Sequence, residues 1–120
     1  MTLFIVEDDK IQSLILEMMI RKLGLELTGI EAYGKSAVKR ILNLKPDIVL
    51  LDVMLKDSFD GINVAKEIKK IYQPIIIYVT GNSDNGNIKR AEQYGFHDYI
   101  AKPVSFSELK YSIQAIESIY

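Results

Sequence analysis

Four apolar runs in this chain each end on a polar signal. Leu3 to Val6 leads into Glu7-Asp8-Asp9, Ile48 to Leu51 into Asp52, Ile75 to Val79 into Thr80-Gly81, and Tyr99 to Ala101 into Lys102-Pro103. Such short runs, rich in β-branched and aromatic residues and bounded by polar residues, read as buried strands. A weaker strand, Leu25 to Ala32, is supported by Thr28 and Ile30. Helical patterns fill the intervals: Lys10 to Leu23, Lys35 to Leu44, Ile62 to Ile71, a fourth helix ending at Tyr94, and a fifth from the Ser105 cap to the C-terminus. The order is (βα)5, which argues for an α/β fold: a doubly wound, five-stranded parallel sheet covered on both faces. Ligands of such sheets sit outside the carboxyl ends of the strands, where the strand order reverses. The acids, the hydroxyl and the lysine are therefore expected to converge.

Local signals agree with this division. Asp9 is placed to cap the first helix, with Gln12 three residues on and Gly24 as its stop. Pro46 ends the second helix. Lys56-Asp57-Ser58-Phe59-Asp60-Gly61 is a turn-rich loop, Pro74 opens the fourth strand, and Gly81 to Asn87 reads as a polar, mobile surface loop. Gly95 closes the fourth helix, and Ser105 with Glu108 forms a capping box.

Composition narrows the class. At 120 residues the chain is expected to be one domain, 1–120, with 48% hydrophobic and 26% charged residues, as in a soluble globular protein. A formal net charge of -1 gives no electrostatic case for nucleic acid or an anionic membrane. There is no cysteine, hence no disulfide framework or thiol chemistry. The first apolar run is too short for a signal peptide, and no segment approaches the ~20 apolar residues of a membrane helix. A cytoplasmic protein is expected.

The polar signals carry chemistry. Any two of Glu7, Asp8 and Asp9 could face Asp52 across the switch point; capping accounts for Asp9, which leaves Glu7 and Asp8. Three carboxylates this close repel one another unless a cation joins them. A hard ion such as Mg2+ suits oxygen ligands. Once the cluster is neutralised, an ionised aspartate can act as a nucleophile toward phosphorus. Lys102 and the Thr80 hydroxyl would then meet the charge on the transferring group. Each residue also has a plainer reading: Asp52 as a loop cap, Thr80 as a β-branched strand residue, Lys102 as a solvated lysine, Tyr99 as a half-exposed aromatic. His97, the only histidine, is read as a turn or surface residue.

Taken together, Val6-Glu7-Asp8, Asp52, Thr80-Gly81, Gly95-Phe96-His97-Asp98-Tyr99 and Tyr99-Ile100-Ala101-Lys102-Pro103 closely resemble the receiver domain of two-component response regulators, over essentially the whole chain. The resemblance implies a flavodoxin-like (CheY-like) sheet of order 2-1-3-4-5. It implies Asp52 as phosphoacceptor, with Asp8 binding Mg2+ directly, Glu7 acting largely through water and the Met54 carbonyl as a further ligand. Lys102 and Thr80 would contact the phosphoryl group, and Thr80 and Tyr99 would form a switch pair. The partners implied are a histidine kinase or histidine phosphotransfer domain and a downstream protein at the face made by the fourth helix, fifth strand and fifth helix, with no direct nucleic-acid or membrane contact. Two departures stand out. The loop after Asp52 lacks the common proline and is one residue longer, and Val104 replaces a frequent phenylalanine.

The Lys102–Pro103 bond is expected to be cis, because the turn must aim Lys102 at Asp52 and the cis form costs only ~0.5–1 kcal/mol before proline; the resemblance implies the same. The first helix carries two apolar stripes. Leu16, Met19, Ile20 and Leu23 are expected inward, while Ile11, Leu14, Ile15 and Met18, roughly 140° away, are expected to dock a phosphodonor unless the fifth helix or a second copy covers them. The expected function is a phosphorylatable receiver rather than an enzyme, either a stand-alone relay protein or a piece of a longer regulator or hybrid kinase; Met1 favours a natural start. The rivals are a small Mg2+-dependent phosphohydrolase, which would need a cap and a second acid, and a flavin-binding module, whose phosphate three acids would repel.

Overall fold

Alternation of side chains along the central strands builds two cores at once. The computed structural model describes residues 1–81 and 85–119. Five strands, β1 (Thr2–Val6), β2 (Glu26–Glu31), β3 (Ile48–Asp52), β4 (Ile75–Thr80) and β5 (Asp98–Ala101), form one parallel sheet in the order β2-β1-β3-β4-β5. Successive side chains on a strand point to opposite faces. Leu3 and Ile5 pair with Ile48 and Leu50, and with Ile77 and Val79 they pack beneath Leu16, Ile20, Leu109, Ile113 and Ile116. Phe4, Val6, Val49, Leu51, Ile76 and Tyr78 face the other layer, against Ala37, Ile41, Ile62, Ala65 and Ala91. Burying each large side chain contributes about 1.5–3 kcal/mol, so continuous apolar strands are the cheapest solution for a sheet covered on both faces.

The helices are α1 (Lys10–Lys22), α2 (Gly34–Leu44), α3 (Gly61–Ile68), α4 (Asn85–Glu92) and α5 (Phe106–Ile119). Helices α1 and α5 cover one face; α2, α3 and α4 cover the other. Asp9 caps α1 as expected, its Oδ1 accepting the Ile11 and Gln12 N–H groups at 2.9 and 3.0 Å. Ser105 Oγ accepts the Glu108 N–H at 3.1 Å. Gly24 and Gly95 sit at positive φ two and three residues beyond the ends of α1 and α4, where a side chain would be strained. The Lys102–Pro103 bond is cis.

Several boundaries differ from the sequence reading. The third helix stops at Ile68, not Ile71; the chain continues as turns, and Ile71 is exposed, so its apolar character marks no buried face. The fourth helix begins at Asn85, inside the segment read as a loop, and ends at Glu92 rather than Tyr94. Residues 82–84 of that expected mobile loop lie outside the described residues. Strand β2 is Glu26–Glu31, one residue shorter at each end, and only half buried, as fits a sheet edge. Its register slips opposite Leu3 and Phe4, where Thr28 Oγ1 donates to the Leu3 carbonyl at 3.2 Å.

Candidate phosphorylation and metal site

The reversal of strand order falls between β1 and β3, so the chain ends of these two strands define the site. Glu7 and Asp8 follow β1 directly, and Asp52 is the last residue of β3. One carboxylate oxygen from each of the three lies within 4.8 Å of the others. They border a shallow cavity of about 370 Å³ lined also by Asp9, Gln12, Met54, Gly81 and Lys102. Thr80, at the end of β4, is buried and does not line the cavity.

Lys102 bridges two of the acids. Its Nζ lies 2.7 Å from Glu7 Oε1 and 3.0 Å from Asp52 Oδ2. The lysine is delivered from β5, where its N–H donates to the Thr80 carbonyl at 2.8 Å and the cis bond then turns the chain toward α5. The other oxygen of Glu7 accepts the Asp9 N–H at 3.1 Å, and Asp52 Oδ1 accepts the Met54 N–H at 3.2 Å. Glu7 is thus held by an ion pair at Oε1 and a hydrogen bond at Oε2, whereas Asp8 is only partly buried on the cavity rim.

One ammonium faces three carboxylates, and proton affinities follow. Burial pushes the Asp52 carboxyl up to about 7, reinforced by its hydrogen bond to Glu7 and by the Glu7 charge; Lys102 opposes this without cancelling it. Burial also opposes ionisation of Glu7, but hydrogen bonds with Lys102, Asp52 and the Asp9 N–H outweigh it and hold the group below its ordinary value. Asp8 is raised by burial, then by the neighbouring Glu7. Burial would lower Lys102, yet Glu7 and Asp52 raise it.

A pH effect follows. From about pH 4 to about pH 7 the folded metal-free protein keeps a proton on Asp52 that the unfolded chain has released, so this group's contribution to stability falls as pH rises through that window. Glu7, shifted the other way, acts below its ordinary value of 4.5. Wild type should therefore lose stability relative to Asp52→Asn between pH 4 and pH 7. Urea melts of both metal-free proteins at the two pH values test this, and a constant gap between their midpoints would contradict it.

The sequence pointed to Tyr99 but not to its surroundings. Tyr99 is half buried, with its ring centroid 5.8 Å from those of Tyr78 and Phe96; Tyr78 and Phe96 are 5.6 Å apart in an edge-on arrangement. By sequence Asp60 is a turn residue. It caps α3 by accepting the Asn63 N–H at 2.9 Å, and it pairs with Arg90 of α4 at 3.0 Å. No local pattern announces a pair thirty residues apart. His97 is exposed, as expected, yet its Nε2 lies 3.0 Å from the Ser112 carbonyl of α5; a carbonyl only accepts, so Nε2 carries the proton.

This arrangement has known counterparts. The family model described as "Response regulator receiver domain" matches residues 3–114. The probable C4-dicarboxylate response regulator DctR of Halalkalibacterium halodurans is 32% identical over 118 residues, which are 97% of this chain and 51% of that protein; the chain thus spans about half the length of this relative. Among solved structures, the signal receiver domain of a modulated diguanylate cyclase from Desulfovibrio desulfuricans G20 is similar at 32% identity and a TM-score of 0.88, covering 95% of this chain and 90% of that one. The receiver domain of sensor histidine kinase PA1611 from Pseudomonas aeruginosa PAO1, whose structure has a magnesium ion coordinated in the active site cleft, is similar at 31% identity and a TM-score of 0.84, covering 95% and 94%.

Proposed function

Because the chain belongs to the response regulator receiver domain family of two-component signalling, we propose that it accepts a phosphoryl group on Asp52 from a histidine of a partner kinase or phosphotransfer domain. The observation that carries this is the placement of a buried nucleophilic carboxylate between an acid cluster and a lysine, at the edge of an open cavity. The donor set is all oxygen, the acids exceed the cations and the carboxylates lie close together, which fits Mg2+ rather than a softer ion. Asp8 and Asp52 would hold it directly with the Met54 carbonyl, and Glu7, already bound to Lys102, would act through water. The ion supplies neutralising charge that lets a phosphoryl dianion approach.

In the transfer, an Asp52 carboxylate oxygen forms the new bond to phosphorus while the phosphorus–nitrogen bond of the donor phosphohistidine breaks. Its electron pair stays on the imidazole nitrogen, which takes up a proton. Lys102 and a hydroxyl from Thr80 meet the charge on the equatorial oxygens. Nothing in this cycle turns over an external substrate, so the protein acts as a phosphoacceptor and not as an enzyme. A cytoplasmic setting fits this role; among the described residues, no helix is long and apolar enough to cross a membrane.

Signal output would run through Thr80 and Tyr99 to the surface of α4, β5 and α5, where a downstream protein binds. If Thr80 moves to contact the phosphoryl group, the Tyr99 ring gains room, and phosphorylation shifts the balance between two states. Thr80→Ala should still be labelled but show smaller amide shift changes around Tyr99. Changes equal to wild type would rule out this route.

The donor docks on α1. Its inward stripe packs as expected, with Leu16 and Ile20 buried and Met19 and Leu23 partly so. The second stripe stays open: Ile11, Leu14, Ile15 and Met18 are 70%, 57%, 40% and 64% exposed. Phe106, the first residue of α5, lines a shallow groove with Ile15, Met18, Met19 and Lys22. The stripe starts beside Asp9 and Gln12 on the cavity rim, so it is continuous with the site. A helical bundle presenting a phosphohistidine to Asp52 would lay an apolar helix face along it. Leu14→Ser with Met18→Ser should slow phosphotransfer from the partner about tenfold while acetyl-phosphate labelling and thermal stability stay near wild type. Loss of folding would mean that the stripe is core.

A further inference from the structure

The loop from Val53 to Asp60 carries the Met54 carbonyl and joins Asp52 to α3, and its seat is made by two glycines. Gly61, the first residue of α3, lies so close to the Asp52 carbonyl that a Cβ there would overlap it, and the Gly61 N–H donates to the Val53 carbonyl at 3.0 Å. Gly34, the first residue of α2, lies equally close to the backbone at the other end of the loop. A Cβ on Gly34 would overlap the Phe59 carbonyl oxygen and come within 2.9 Å of the Phe59 ring. Gly34 has no positive φ, so it is needed here for space and not for conformation.

We infer that Gly34 is a positioning residue for the phosphorylation site, seating the Val53–Asp60 loop and with it the Met54 carbonyl and the Asp52 carboxylate. The inference rests on Asp52 being the phosphoacceptor. An unbonded carbon and oxygen need about 3.3 Å, so a methyl group at Gly34 must open the contact by on the order of 1 Å. Retreat of helix α2 would pull the fully buried Ala37 and Ile41 out of the core, so movement of the loop costs less. Phe59 is followed at once by Asp60, the cap of α3, and by Gly61, whose N–H holds Val53 between Asp52 and Met54. Displacement at Phe59 therefore reaches both site groups through two residues and one hydrogen bond. A misplacement of this size lowers reaction rates by up to about 10²-fold where reacting groups must align.

The test compares Gly34→Ala with Gly24→Ala. Gly24 ends α1 at φ +78°, with nothing within 4 Å of its would-be Cβ, so its substitution strains the backbone without touching the loop. In EDTA-treated protein, hydrogen exchange at the Gly61 and Asn63 amides should be about tenfold faster in Gly34→Ala than in Gly24→Ala. Calorimetric titration with Mg2+ should give about tenfold weaker binding, and acetyl-phosphate labelling at saturating Mg2+ should slow about tenfold. Gly24→Ala should keep wild-type values for both. Wild-type exchange and Mg2+ affinity in Gly34→Ala, or equal losses in the two variants, would overturn the inference. Should Gly34→Ala fail to fold, Phe59→Ala removes the ring that packs against the core beside α2 without adding bulk. It is expected to change the same three measurements in the same direction, and unchanged values would overturn the inference equally. If wild type itself takes no phosphoryl group, the proposed function fails, while the metal-free exchange result still decides the role of Gly34.

Discussion

Asp52→Asn is expected to abolish labelling by acetyl phosphate in the presence of Mg2+, with no residual single-phosphoryl species in the intact mass spectrum. The substitution keeps the size of the side chain and leaves a carbonyl oxygen where Oδ1 accepts the Met54 N–H. What it removes is the anionic oxygen that attacks phosphorus. EDTA should have the same effect on wild type, because Glu7, Asp8 and Asp52 together would repel the donor. A labelled Asn variant would show that another acid is the acceptor.

The second large effect should come from Lys102→Ala, and its two readouts should move in opposite directions. Lys102 donates to Asp52 and pairs with Glu7, so it is placed to meet charge developing on the phosphoryl oxygens. Losing one such donor costs about 10²–10³-fold in rate, and labelling should slow by at least about 10²-fold. The same ammonium also offsets part of the acid cluster. Its removal leaves three carboxylates without a compensating charge and should strengthen Mg2+ binding several-fold. Weaker Mg2+ binding together with slow labelling would mean that Lys102 acts mainly by holding the site in shape.

Most of the fold was legible because the sheet is parallel and central. Strands β1, β3 and β4 are buried on both faces, so nothing polar interrupts them until they emerge at the site. The acids of the candidate site were legible for the same reason: a charge at the end of such a run must lie at the carboxyl edge of the sheet. Edges and contacts between elements were not. Lys69, Lys70 and Ile71 look helical by propensity, yet α3 stops at Ile68, Lys69 Nζ donates to the carbonyls of Tyr94 and Gly95, and Ile71 is mostly exposed. The start of α4 is hidden in the sequence because Asn85, Gly86 and Asn87 are turn formers.

Glycine was the least legible residue type. Gly24 and Gly95 announce helix ends, and local patterning finds them. Gly34 and Gly61 serve contacts across the fold, and only the packed backbone reveals why no side chain fits. The packing of Tyr78 on Phe96 and Tyr99 and the Asp60–Arg90 pair belong to the same class, since the partners lie far apart in the chain. The α1 surface was legible because 3.6-residue periodicity separates two stripes on one helix, and only one of them can face the sheet.

The most direct measurement is to trap the phosphorylated residue chemically. Protein labelled with acetyl phosphate and Mg2+ is treated with borohydride, which reduces an acyl phosphate to the alcohol and releases phosphate, and its peptides are then sequenced by mass spectrometry. The expected product is homoserine at position 52 and at no other acid. Homoserine at position 8 or 9, or no reduced residue in a labelled sample, would contradict the assignment of Asp52 as phosphoacceptor.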